Sequence, residues 1–211
     1  MSGMSAKAFL DWLNTFELPK ANLPANRFAI ELPNEEILRN CTWDQIMAVC
    51  DEFAATYPDG FRTFNYKGFQ CSILFCLTQF NGYIQMTQEQ RNWFDQNRQA
   101  LEQYEPYGGI TCGCALEGAP GYGFDCAHAN DQQINPISRN GPRFENPDGW
   151  QPTFKTPEFV EAELRAWADH LASVLPAVPA AQLPQLPADL EAFLARWDDV
   201  PLEQAEPAEQ A

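Results

Sequence analysis

The sequence predicts an α+β domain, a small antiparallel β-sheet packed against several amphipathic α-helices, and three observations carry that prediction. Apolar residues recur at helical spacing in separated segments along the chain. Between residues 61 and 86, runs of strand-forming residues are punctuated by turn signals. Hydrophobic residues make up 45% of the 211-residue chain, with 15 Phe and 6 Trp, enough apolar side chain to fill one core without disulfides or metals.

The elements follow in order. Phe9, Leu10, Trp12, Leu13 and Phe16 share a helical face that ends before Pro19 and Pro24. Thr42 with Gln45 three residues later is a capping-box signature ahead of Trp43, Ile46, Met47, Cys50 and Phe53, predicting a helix to about Tyr57. Past the turn at Pro58-Asp59-Gly60, Phe61 to Tyr66 and Phe69 to Phe80 read as strands joined at Lys67-Gly68, and Asn81-Gly82 reads as a hairpin turn leading into Tyr83 to Met86. Thr87 and Gln90 repeat the capping pattern before a helix carrying Trp93, Phe94, Leu101 and Tyr104 to the stop at Pro106.

Gly109 to Ala115 and Tyr122 to Cys126 should pair as a second hairpin, closing in the loop from Asp125 to Asp131. Residues 130 to 155 are rich in Asn, Pro and Gly and read as a long surface loop. Thr156-Pro157-Glu158 supplies a cap, a first-turn proline and an early acid for a helix bearing Phe159, Val160, Leu164, Trp167 and Leu171. The expected organisation is a single α+β domain over 1–175, a Pro-rich linker over 176–187, and a short C-terminal helix with an acidic tail over 188–211, where Leu190, Phe193, Leu194 and Trp197 share a face.

The formal charge of −16, with only 13 Lys and Arg, argues against direct nucleic-acid binding and against adhesion to an anionic membrane, both of which need clustered cations. It suits a protein partner with a basic surface. No apolar run reaches transmembrane length. The seven cysteines are odd in number and several have apolar neighbours, and the N-terminal residues lack a secretory apolar stretch. The expectation is a cytoplasmic protein with reduced, mostly buried thiols.

Chemistry concentrates between Gly108 and Asp131. Asp125, Cys126, His128 and Asp131 gather a thiol, one of the two histidines and two carboxylates within seven residues. As a catalytic set, His128 would deprotonate Cys126, or Asp125, His128 and Asp131 would serve hydrolysis around a divalent cation. As a metal set, Cys112, Cys114, Cys126 and His128 would offer zinc a tetrahedral site if the two strands pair in register. As structure, Asp125 and Asp131 would cap turns while His128 donates to a carboxylate or carbonyl and locks the loop. Gly108-Gly109 before Thr111 reads as backbone needing positive φ or close approach, and Arg139, Arg143 and Lys155 could clamp an anion. Beyond a possible zinc ion, no cofactor is implied.

Gly108-Gly109-Ile110-Thr111, then Gly123-Phe124-Asp125-Cys126-Ala127-His128-Ala129 and Asp131, then Pro157-Glu158-Phe159-Val160 with Glu163, resemble a largely uncharacterised family of small proteins encoded by bacteriophages and other mobile elements. The similarity spans roughly residues 82–171. Tyr107 stands where that pattern carries His, Cys112 where it carries Tyr, and Asn130 where it carries Gly, departures that count against a general zinc site and a two-histidine catalytic site. The resemblance implies mobile-element origin and names no activity. With the acidic charge, it leads to the expectation of a phage accessory protein that binds a host protein, as an anti-CRISPR-like counter-defence inhibitor. A small Cys/His/Asp hydrolase or nucleotide-processing enzyme, and a zinc-stabilised binding module, stand as alternatives.

Overall fold

A computed structural model describes residues 6–15, 28–76, 78–101, 105–113, 120–134 and 152–175. It bears out the α+β class: among the described residues lie a four-stranded antiparallel sheet, a three-stranded mixed sheet and four α-helices. The linker and C-terminal helix expected beyond residue 175 lie outside the described residues.

The chain opens with helix α1 (Ala6–Thr15), whose Leu10 and Leu13 are buried while Trp12 stays exposed. Helix α2 (Trp43–Thr56) begins on the expected capping box: the Thr42 hydroxyl accepts from Gln45 N–H and the Gln45 side chain accepts from Thr42 N–H. Two otherwise orphaned donors are thereby satisfied, and Trp43, Ile46, Met47, Cys50 and Phe53 can face the core without cost at the helix end.

Strands β3 (Phe61–Tyr66), β4 (Phe69–Phe75), β5 (Phe80–Gln85) and β6 (Gly121–Asp125) form the antiparallel sheet in sequence order. Here the sequence reading is corrected at Asn81-Gly82, which lies inside β5 rather than at a turn. The reversal falls between β4 and β5, where Cys76 N–H bonds to Gln79 C=O. Gly82 serves packing: a Cβ there would come within 2.5 Å of the Phe124 ring and 3.1 Å of Leu164, so the strand can only pass beneath them as glycine. Of the second predicted hairpin the described residues carry one antiparallel bridge, between Cys112 and Gly123; residues 114–119 lie outside the described part.

Helix α3 (Gln88–Leu101) lays Phe94 against Tyr122 of β6. Helix α4 (Pro157–Val174) starts on Thr156, whose hydroxyl accepts from Phe159 N–H, with Pro157 in the first turn as expected. It packs on β5 and β4, placing fully buried Trp167 edge-on to Phe124 with ring centroids 6.5 Å apart.

The second sheet was not read from the sequence. Strand β1 (Phe28–Glu31) is central, with β2 (Ile37–Cys41) antiparallel on one side and β7 (Thr153–Lys155) parallel on the other. Strand β7 falls within what the sequence suggests is a loop. Its parallel register sets Ala29 opposite Thr153 and Glu31 opposite Lys155, which puts Glu31 beside two polar side chains of β7. On its outer side β7 captures the motif loop: Gln132 N–H donates to Thr153 C=O at 2.9 Å and Thr153 N–H to Asn130 C=O at 3.1 Å.

Candidate functional site

Asp131 is the centre of the Gly108–Asp131 region, and its side chain is only 1% exposed. One carboxylate oxygen, Oδ2, accepts from His128 N–H at 2.9 Å and sits 3.0 Å from His128 Nδ1. The other, Oδ1, accepts from the Tyr107 hydroxyl at 2.6 Å and lies 3.8 Å from Lys155 Nζ. A buried carboxylate is tolerable only when it is paired and hydrogen-bonded, and here both oxygens are occupied by the protein's own donors.

Lys155 extends the network to the second sheet. Its ammonium, on a side chain 4% exposed, donates to Glu31 Oε2 and to Thr153 Oγ1, the latter at 2.6 Å, while Thr153 Oγ1 donates to Glu31 at 2.7 Å. It also lies over the rings of Tyr107 and Phe159, 4.6 and 5.1 Å from their centroids. This corrects the sequence-based view of Lys155 as a loop cation open to an external anion: it is the buried counter-charge of Glu31 and Asp131. Arg139 and Arg143, the other members of that set, lie outside the described residues.

Tyr107 ties the same centre to α4. Its ring meets Phe159 and His128 edge-on at 5.2 and 5.4 Å, and its backbone N–H donates to Glu163 Oε2 at 3.1 Å. Burial, then the bond to Asp131, raises the tyrosine's pKa, so the phenol keeps its proton and remains a donor. Burial also raises the Glu163 carboxyl, against the opposing pull of the Tyr107 N–H.

Gly108 and Gly109 adopt φ of +67° and +88°, as the sequence suggests, in a turn closed by Gly109 N–H to Pro106 C=O at 2.8 Å. Any Cβ at Gly108 would overlap the His128 imidazole, so this glycine provides the surface on which the ring rests. His128 Nε2 is buried with no hydrogen-bond partner among the described residues.

The remaining candidates fall on either side of this centre. Asp125 Oδ1 accepts from Ala127 N–H at 2.9 Å, and Asp125 N–H donates to Thr111 Oγ1 at 3.0 Å, so Asp125 and Thr111 hold the turn that follows β6. Cys126 is buried, and burial first, then the nearby Asp131, pushes its thiol well above the usual cysteine range, a setting that disfavours a nucleophilic thiolate. Cys112 is disulfide-bonded, a departure from the all-reduced expectation that removes a thiolate from the proposed zinc set; Cys114 lies outside the described residues. Cys41, Cys50, Cys71, Cys76 and Cys126 are free thiols. Among the described residues no three His, Cys, Asp or Glu side chains are grouped to hold a metal ion, and no helix is long and apolar enough to cross a membrane.

Sequence reasoning missed Glu31, Thr153 and the bond from Tyr107 to Asp131. The 31–155 pairing joins residues 124 apart and has no local signature. The one available hint was a lysine and a threonine two apart, as a strand would place them on one face.

Fold and site together define an α+β protein with an internal acid–base brace joining its two sheets to α4. Comparison with protein-family models, with curated proteins and with solved structures finds no match.

Proposed function

We propose that this chain acts by binding another protein, as the accessory protein of a phage or mobile element that occupies a basic surface of a host defence protein. The observation that carries this reading is the wiring of Asp131: both oxygens are engaged within the protein, which suits a motif that shapes the fold and leaves recognition to the surface. The formal charge of −16 supports a basic partner, which would be steered by long-range attraction. The motif resemblance supports the mobile-element origin.

Affinity capture with the full chain from a bacterial host lysate, at low and at high salt, tests the proposal. The expected result is one stoichiometric basic protein, retained at low salt, diminished at high salt, and inhibited in its own assay by the purified chain. Capture of no stoichiometric protein at low salt, or of one whose activity the chain leaves unchanged, contradicts it.

A second reading, a small hydrolase or nucleotide-processing enzyme, draws on one specific feature. A histidine oriented by a carboxylate through Nδ1, with Nε2 lacking a partner among the described residues, is the arrangement of a general base. If it holds, His128→Gln folds normally and abolishes the biological effect; under the binding reading a folded His128→Gln still captures the partner.

A further inference from the structure

Each sheet has two outer edges, and the chain treats them differently. The edge of β6 is closed by Cys112, which exchanges backbone bonds with Gly123 at 2.9 and 3.1 Å. The edge of β7 is closed by Asn130 and Gln132, both bonded to the Thr153 backbone. On β3 the exposed residues are polar, Thr63 and Asn65. Strand β2 differs from all three. Residues 34–40 are exposed without interruption, and among them Ile37 and Leu38 are 37% and 43% exposed. With Trp12 these are the exposed large apolar side chains among the described residues. An open, apolar strand edge is a template for another strand.

Neighbours on a strand point to opposite faces of the sheet, so a helix laid on one face of β2 would cover Ile37 or Leu38 but not both. A strand added alongside covers both. The backbone suits such an addition. Leu32 N–H bonds to Glu36 C=O at 2.8 Å, and the alternation of an antiparallel ladder then turns the N–H and C=O of Ile37 away from β1. Asn34 and Glu35 before the strand hold φ of +63° and +62°, and Asn40 near its end holds +59°, where the pairing with β1 shifts register. The edge is thus a short extended segment bounded on both sides by turned backbone.

Charge selects the occupant. Glu35 and Glu36 head the exposed run, and Arg39 is its one cation. A second copy of the chain would bring another −16 to the edge, whereas a strand carrying Lys or Arg would be drawn to it. We propose, resting on the protein-binding reading above, that β2 is the docking edge for an extended segment of the partner protein, with consecutive apolar residues alongside Ile37 and Leu38 and basic residues beside Glu35 and Glu36.

Backbone NMR and amide exchange of the full chain with three peptides test this: acetyl-Val-Ile-Val-Lys-Lys-amide, its counterpart ending in Glu-Glu, and the lysine peptide N-methylated at alternate residues. In the free chain the Ile37 amide should exchange as an open edge does. The lysine peptide should bind saturably, shift the resonances of residues 35–40 and protect the Ile37 amide. The glutamate peptide should bind about tenfold more weakly, and the N-methylated one, which cannot pair as a strand, should not bind. Leu38→Thr and Glu36→Lys alter exposed positions, so each should keep the native Tm while weakening the lysine peptide about fivefold.

An Ile37 amide already protected in the monomeric free chain would assign the edge to a segment of the chain itself and overturn the proposal. A native dimer that Leu38→Thr converts to monomer would assign it to a second copy, with the same result. So would no saturable binding at millimolar lysine peptide, or shifts confined to other strands. Affinity capture then separates the edge from the reading it rests on. A basic host protein captured equally by the native chain and by Leu38→Thr sinks the β2 edge and leaves that reading standing; peptide binding at β2 without any captured host protein does the reverse.

Discussion

Two buried polar regions of this molecule are built on opposite principles. Around Asp131, charged and hydroxyl groups from β1, β7, α4 and two loops are matched so that Asp131, Lys155 and Thr153 each meet a partner inside the protein. On the opposite face of β4 and β5, Ser72, Asn81 and Gln85 are as deeply buried, and four of their side-chain atoms have no hydrogen-bond partner among the described residues. A satisfied network rigidifies and fixes how elements dock; an unsatisfied one weakens the structure that carries it. The comparison teaches that burial of polar groups does not by itself mark function: even in the matched region His128 Nε2 stays without a hydrogen-bond partner among the described residues.

The contrast breaks most directly at Asp131. Asp131→Ala leaves Lys155 with one carboxylate partner fewer and orphans the Tyr107 hydroxyl and His128 N–H, so a loss of about 3–5 kcal/mol is expected by urea denaturation; a loss below about 1 kcal/mol would put Asp131 outside the framework of the fold. A smaller effect is expected at Gly108, where φ is +67° and the imidazole lies against Cα. Gly108→Ala should destabilise by about 1–3 kcal/mol through left-handed strain and displacement of the ring, and a His128→Ala background, which removes the ring, should recover part of that in a double-mutant cycle.

The smallest expected effect sharpens the picture at the edge of the network. Burial raises the Glu163 pKa, so the native state favours the protonated carboxyl. Stability from that group is present below the ordinary carboxylate range and is lost as pH rises through the raised folded value. Glu163→Gln keeps an acceptor for Tyr107 N–H and removes that loss, so its stability relative to the native chain should grow from acidic to neutral pH. Urea midpoints at both ends of the range check the sign, and a gap that shrinks toward neutrality would contradict it.

What was legible in the sequence was what is local. The capping box of α2, the proline start of α4, the β3–β4 hairpin and the positive φ of Gly108 and Gly109 all rest on residues a few positions apart, and the structure bears them out. Asn81-Gly82 misled because a turn dipeptide and a glycine cleared for a neighbouring ring look identical until Phe124 and Leu164 are placed above it. Strands β1, β2 and β7 went unread because they are three to five residues long, too short for periodicity to register, and because their pairing joins distant parts of the chain.

The candidate site divides the same way. His128 and Asp131, three apart, could be read as a turn lock, and that reading describes their geometry. Glu31 could not be read at all, since only the parallel register of β1 and β7 brings it to Lys155. The row of Ser72, Asn81 and Gln85 was equally hidden, because alternation along a strand tells which residues share a face but not whether the hydrogen bonds on that face are met.

The account stands or falls on the bond between His128 and Asp131, and nitrogen NMR of the His128 ring at neutral pH reads it directly. The account predicts a proton on Nδ1, held toward the carboxylate, with that signal lost in Asp131→Ala. A bare Nδ1, with the proton on Nε2 in the native chain, would contradict it.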